Sequence, residues 1–133
     1  MAGPEVPRDP SPAKLAAGIA RARLQPPDQH LPGFYEQVLE WLDHPDETVR
    51  EEAILFLGRH IRQRSDAQAL LETLAGDPSV SVRKAAADCL GGVFRATRNR
   101  QVCEVLGGVT RNKEEEGPVR AAAFAAIKRI NGY

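Results

Sequence analysis

The stretch that decides the fold is DPSVSVRKAAADCLGGV, residues 77–93. It opens with an Asp-Pro turn signal, and from Val82 onward its apolar residues recur every three or four positions, as on one face of a helix. Two other stretches share this pattern, HPDETVR at residues 44–50 and EGPVR at residues 116–120. The Val-Arg pairs within them lie 33 and 37 residues apart, a spacing that predicts stacked helical repeats.

The three stretches align on these Val-Arg pairs, Val49-Arg50, Val82-Arg83 and Val119-Arg120. Four residues after each valine comes an alanine, and eight residues after it comes leucine or isoleucine. On a helix, positions +3, +4, +7, +8 and +11 form one face about 140° wide, which predicts a core face in each repeat. Only Glu52 and His60 are polar on it, and we interpret them as the frayed outer end of that face.

A shorter amphipathic stretch precedes each turn, at residues 34–42, 66–75 and 100–109. Each repeat is therefore predicted to be a helix A, a turn and a helix B, with boundaries at about 34–64, 65–98 and 99–131. No segment alternates apolar and polar residues, so no sheet is expected. The pattern predicts one all-α domain over residues 34–133, a short α-solenoid of about three helical hairpins.

The first 33 residues differ in composition, because they hold seven of the ten prolines. Residues 1–10 are expected to be disordered or extended. Ser11-Pro12 is a good helix start, so we predict a helix at residues 12–24 that caps one end of the fold. Residues 25–33 are predicted to form an irregular loop.

The pattern D-P-x-x-x-V-R-x-x-A-x-x-x-L-G resembles the HEAT-like repeat, particularly its short, phycobilin-lyase-type form. Residues 77–91 match it throughout, whereas His44 replaces the first acid in repeat 1. Repeat 3 has Glu114 at that acid position, a shifted Pro118 and Lys128 in place of the glycine. The resemblance covers about residues 34–131 and implies a scaffold for binding other proteins.

In that family the arginine after the valine commonly supports the repeat by pairing with a turn acid. The resemblance therefore implies structural roles for Arg50, Arg83 and Arg120, with Asp77 and neighbouring acids as partners. The alternative is that these arginines form a ladder that binds phosphate.

The sequence offers little for catalysis. The three histidines lack metal-ligand spacing, and the motifs CxxC, HExxH, GxSxG and GxxxxGK are absent. Cys89 and Cys103 lie within apolar helical patterns, so buried free thiols in a reducing cytoplasm are expected. The run Glu114-Glu115-Glu116 is typical of a solvated acidic loop. We therefore expect no enzymatic activity, no catalytic residue, no cofactor and no metal.

The balance of charge also limits the function. Lys+Arg and Asp+Glu both number 18, so the net charge is zero, which argues against a chain that coats nucleic acid or a membrane. Residues 34–75 hold four basic and nine acidic residues, and residues 76–133 hold ten and six. A solenoid with an acidic first repeat and a basic far end is expected. Because no apolar run is long enough for a transmembrane helix or a signal peptide, we predict a cytoplasmic protein.

These features predict a non-catalytic protein-interaction module, an adaptor or inhibitor that holds its partner with helix B side chains. The candidate partner-binding residues are Glu51, Ile54, Lys84, Phe124, Arg59, Arg62, Arg95 and Arg98. Ile54 and its equivalents Ala87 and Phe124 either form an apolar ridge for a partner or fill the contact between repeats. The nearly all-apolar stretch 121–127 suggests that the last helix packs on a second copy or on a partner protein, unless its alanines simply favour helix.

Two alternatives belong to other functional classes. Basic residues gather near the ends of the B helices, and such an edge suits nucleic-acid phosphates, although the chain lacks the features expected of a base-flipping enzyme. The second alternative is a lyase- or chaperone-like maturation factor for a cofactor-bearing protein.

Overall fold

The computed structural model describes residues 11–133, which contain seven α-helices and no strand. The helices are α1 Pro12–Arg23, α2 Phe34–Trp41, α3 Glu47–His60, α4 Ala67–Gly76, α5 Val80–Val93, α6 Arg100–Arg111 and α7 Gly117–Ile130. Short 3-10 turns precede α2 and α4. The prediction of a short all-α solenoid is confirmed. The expectation for residues 1–10 lies outside the described residues.

Polar side chains start most of these helices. Asp46 accepts the backbone N–H groups of Thr48 and Val49, while Ser79 and Asn99 each accept the N–H three residues later. Ser11 caps α1 in the same way through the N–H of Lys14. Such caps satisfy backbone donors that have no partner within the helix, and each stabilises its helix by about 1 kcal/mol.

The helices form two layers. In the first, which we call the B layer, α1, α3, α5 and α7 pack side by side in chain order. In the second, the A layer, α2, α4 and α6 each pack on the B-layer helix that follows them, and they make few contacts with one another. The B layer therefore carries the continuous core of the stack.

Two glycines set the spacing of the B layer. A Cβ atom at Gly58 would overlap Cys89 Sγ, and one at Gly91 would lie 2.9 Å from Ala126 Cα. Each glycine is nine residues after its valine, and each contacted residue is seven residues after the valine of the next repeat. The glycine of the repeat pattern is thus the point where consecutive B helices touch.

The first helix packs on α3 as a further member of the B layer, with Ala16, Ile19 and Ala22 buried. The interpretation of Glu52 and His60 as a frayed end was wrong, because both side chains face the end of α1. Arg23 lies 3.4 Å from a Glu52 oxygen, and His60 Nε2 donates to the Arg23 carbonyl oxygen at 2.7 Å.

Candidate functional site

An arginine and an acid join the first two repeats. Arg50 donates from Nε and Nη2 to the two carboxylate oxygens of Asp77 at 2.9 and 3.2 Å, and from Nη1 to the carbonyl of His44. The side chains of the pair are only 11% and 6% exposed. Asp77 also accepts the N–H of Ser79, so its role is to join the turns before α3 and α5 rather than to cap α5. The contact fixes the register of one turn against the next.

A second pair joins repeats 2 and 3. Arg83 donates from Nε and Nη2 to Glu115 at 3.1 and 2.9 Å, and from Nη1 to the carbonyl of Asp77. The hydrogen bonds from Arg83 lower the pKa of Glu115 below its ordinary value. The acid that pairs with Arg83 is not Glu114, the residue that the alignment makes equivalent to Asp77. Because Pro118 lies inside α7 instead of before it, the turn follows another path and presents the next residue.

The third arginine has no such partner. Arg120 donates from Nε to the carbonyl of Thr110 at 3.2 Å, and among residues 11–133 no carboxylate lies within 4 Å of it. The acids of the first two pairs belong to the next repeat, and α7 is the last helix described. The implied pairing is therefore present at Arg50 and Arg83, whereas within residues 11–133 no acid pairs with Arg120, whose terminal nitrogens have no acceptor there.

The environment of the position five residues after the valine differs in the same way. Ile54 and Ala87 are fully buried because the next B helix covers them, whereas Phe124 is 52% exposed. The apolar side chains thus fill the contacts between repeats, and Ile54 cannot be part of a partner-binding surface. Lys128 Nζ lies 4.9 Å from the centroid of the Phe124 ring. We call the surface formed by Arg120, Ala121, Phe124 and Lys128 the terminal face.

Exposed arginines collect at the edge where the B helices end. The helices α3 and α5 run parallel, because the early residues Arg50 and Glu51 contact Asp77 and Ser81 while the later Gly58 contacts Cys89. Their carboxyl ends therefore share one edge of the stack. The exposed arginines there are Arg59, Arg62, Arg64, Arg95, Arg98 and Arg100, which we call the basic edge.

Most arginines of the basic edge are free of acids. Arg62 lies 3.5 Å from Glu36 and stacks 4.4 Å above the Tyr35 ring. The other five have no carboxylate within 4 Å among the described residues. Unpaired guanidinium groups are suited to bidentate contacts with carboxylates or phosphates of a ligand.

The backbone beneath this edge is held in place. Ala96 and Arg98 adopt left-handed φ angles of 59° and 56°, and their N–H groups donate to the carbonyls of Arg129 and Ile130 at 3.0 and 2.9 Å. The loop thereby closes the carboxyl end of α7. The sequence did not predict this conformation at Ala96 and Arg98, because left-handed backbone is expected mainly at glycine or asparagine.

The connection after α3 is fixed by Tyr35. Its hydroxyl donates to Asp66 at 2.7 Å and accepts the N–H of Arg62 at 3.1 Å. Burial raises the pKa of Tyr35 to about 12, so the hydroxyl keeps its proton and this bond at physiological pH. Sequence patterns did not single out this tyrosine, because it is simply one aromatic residue of helix A.

Comparison with known families identifies the architecture. A family model described as HEAT repeats matches residues 35–128. The chain belongs to the HEAT-repeat family. The match is to HEAT repeats in general, and it does not test the resemblance to their phycobilin-lyase-type form. No curated protein and no solved structure matches the chain.

In this HEAT-repeat protein the other predicted partner-binding residues are already engaged. Glu51 accepts a hydrogen bond from the Ser81 hydroxyl, and Lys84 pairs with Asp88 at 2.9 Å. Both lie on the B layer, near the beginnings of α3 and α5 and away from the basic edge. The predicted residues therefore divide into separate groups rather than one site.

The thiols of the HEAT repeats are poor nucleophiles. Burial raises the pKa of Cys89 to about 11, and its Sγ donates to the Ile54 carbonyl at 3.5 Å. Burial also raises the pKa of Cys103. Both side chains therefore remain protonated thiols at neutral pH. Because the thiolate is the reactive form, they are poorly suited to nucleophilic attack. Residues 11–133 contain no group of three His, Cys, Asp or Glu side chains placed to hold a metal ion.

A cleft of about 540 Å³ opens between α2 and α4. Asp43 and Glu72 lie on its wall together with Arg50, whose guanidinium is already paired with Asp77.

None of the helices in residues 11–133 is both long enough and apolar enough to cross a bilayer.

Proposed function

We propose that this chain is a non-catalytic protein-binding module of the cytoplasm, an adaptor or inhibitor that holds an acidic surface of its partner on the basic edge. The observation that carries the proposal is the set of exposed arginines on that edge, of which five of six have no acidic partner within residues 11–133. HEAT repeats commonly mediate protein interactions, which supports this choice of functional class.

Rigidity favours binding at this edge. Arg95 and Arg98 stand on a loop that is hydrogen-bonded to the end of α7, and Arg62 follows a connection fixed by Tyr35. A surface whose backbone is already ordered loses less conformational entropy when it binds. The arginines Arg50 and Arg83 serve the fold and take no part in the proposed contact.

Charge steers the partner without attracting every polyanion. The opposite edge carries acids, among them Asp43, Glu47 and Glu114, while the net charge of the chain is zero. A neutral molecule with separated charges orients an acidic partner toward one edge and repels it from the other. The raised pKa values of the two thiols support a non-catalytic role, and free cysteines support a reducing compartment.

Affinity capture tests the proposal. The full chain is used to capture proteins from the lysate of its source organism, followed by mass spectrometry. The variant carries Arg95→Glu and Arg98→Glu, and the matched control carries Arg111→Glu and Lys113→Glu, an equal charge change away from the basic edge. We expect a stoichiometric protein with the wild type and the control, and at least about tenfold less with the variant, since contacts of charged groups are worth about 1.5 kcal/mol or more. Capture of no stoichiometric protein would contradict the proposal.

Nucleic-acid binding is a second candidate, favoured by the same row of exposed arginines. It predicts that the chain binds duplex DNA or RNA, that affinity falls steeply as salt rises, and that nuclease treatment of the lysate abolishes capture. Fluorescence anisotropy with a labelled duplex at two salt concentrations separates this candidate from protein binding.

A further inference from the structure

We propose that the terminal face is the docking site for an acidic helix of another protein, which places a carboxylate on Arg120 and an apolar side chain on Phe124. The proposal rests on the protein-binding function proposed above and adds a second surface and the chemistry of its partner. It concerns Arg120, Ala121, Phe124 and Lys128, which are remote in sequence from most of the basic edge.

The first observation is the unfilled place beside Arg120. Arg50 and Arg83 each hold a carboxylate of the following repeat through Nε and Nη2. Arg120 occupies the equivalent position, but its Nε donates to a carbonyl and its terminal nitrogens have no acceptor among residues 11–133. The same side chain at the same place in the repeat therefore has terminal nitrogens available for a carboxylate that the described residues do not supply.

The second observation is apolar and independent of charge. Ile54 and Ala87, which precede Phe124 in the equivalent position, are 0% exposed beneath the next B helix, and Phe124 is 52% exposed. A large aromatic ring beside small alanines such as Ala121 offers a protruding anchor for a second helix. Both observations fall on the side of α7 that corresponds to the covered sides of α3 and α5.

Lys128 determines how the partner approaches. The equivalent residues Gly58 and Gly91 have no room even for a Cβ atom, so a fourth HEAT repeat cannot stack on α7 in the same register. The docked helix must instead contact α7 near Arg120 and Phe124 and diverge toward Lys128. The ammonium group there favours another carboxylate on the partner, so both cations select an acidic helix.

The charges also argue against a second copy as the occupant. The helix at the other end of the B layer, α1, contains no acid and exposes Lys14 and Arg21. It would place positive charge against Arg120 and Lys128 in a head-to-tail assembly. Two α7 helices packed on each other would oppose the same two cations. A different, acidic protein fits the terminal face.

Photo-crosslinking tests the proposal. The full chain carries p-benzoylphenylalanine at position 124, and in the control the same residue replaces Val105, an exposed apolar residue of α6. After irradiation in native lysate, the attached peptide is sequenced. We expect one peptide from another protein, with Asp or Glu in a helical pattern, only from position 124.

Charge exchange then tests the contact with Arg120. Arg120→Glu should lower the adduct yield about tenfold, and replacement of the partner's carboxylate by lysine should restore it, whereas Arg111→Glu should leave it unchanged. Circular dichroism checks that each variant is folded. Restoration by the exchanged pair is a result that loss of folding cannot produce.

Three results would overturn the proposal. They are an adduct with a peptide of this same chain, an adduct whose yield is unchanged by Arg120→Glu, and the absence of any adduct at position 124. The basic edge is tested separately, because a protein lost with Arg95→Glu and Arg98→Glu but not cross-linked at Phe124 would leave the proposed function standing and remove only the terminal face.

Discussion

The two joints between repeats, α3 with α5 and α5 with α7, and the terminal face present the same repeat positions in opposite circumstances. At the joints an arginine holds a carboxylate, an aliphatic residue is buried and a glycine touches the next helix; on α7 the corresponding residues are Arg120, Phe124 and Lys128, all without that neighbour. The difference teaches that the repeat pattern describes a joint between repeats more than a single hairpin. Substitutions at equivalent positions should therefore have unequal effects.

The largest difference is expected between Arg50→Met and Arg120→Met. The first variant leaves Asp77, which is nearly buried, without its cation, and should lower the free energy of unfolding by about 3 kcal/mol. The second removes one hydrogen bond to a carbonyl and should cost at most about 1 kcal/mol. Urea denaturation of both variants measures these losses. Equal losses would show that the Arg50–Asp77 pair does not stabilise the contact between the first two repeats.

Smaller changes in the free energy of unfolding are expected for Gly91→Ala and Gly108→Ala, and the two changes should have opposite signs. Alanine favours helix over glycine by about 1 kcal/mol, and at Gly108 nothing lies within 4 Å, so this variant should gain stability. At Gly91 the new methyl group would lie 2.9 Å from the backbone of Ala126, and the overpacking should cause a net loss of about 1 kcal/mol. Thermal unfolding of the two variants measures these changes. Stabilisation of both would contradict the close contact between Gly91 and Ala126.

Acid should weaken the second joint. The pKa of Glu115 is lower in the folded chain than its ordinary value of 4.5, so its contribution to stability is present above about pH 4.5 and is lost as pH falls through the folded pKa. Arg83→Met removes the cause of the shift. The stability difference between wild type and variant should therefore shrink as pH is lowered, because other acids affect both equally. Urea titrations from neutral to acidic pH measure it, and a constant difference would contradict the prediction.

The smallest effect is expected for Phe124→Ala. Half of the ring is exposed, so the free energy of unfolding should change by no more than about 0.5 kcal/mol, while binding of the acidic helix is lost. A large loss of stability would mean that the ring serves the fold of α7 rather than a partner.

Periodicity predicted the helices well because it depends on the chain's own pattern. It identified the core face of each helix B. It was weaker wherever a residue's role depends on which element lies opposite. Glu52 and His60 look like interruptions of a core face until α1 is placed against them.

The candidate surfaces were only partly predictable for the same reason. The arginines near the B-helix ends could be located from sequence, since parallel helices bring their ends together. The burial of Ile54 could not be decided, because its position lies at the margin of the core face and depends on the stacking of α5. The choice of Glu115 over Glu114 depends on one displaced proline, Pro118, and on the path of the turn around it.

The glycine contact has a consequence for how such an array lengthens during evolution. A repeat duplicated internally, between α3 and α5, would bring both a glycine for the helix after it and a compatible residue for the glycine before it. A repeat appended after α7 would meet Lys128, so at least that codon would have to change before the addition could pack. The array is therefore built to grow from its interior.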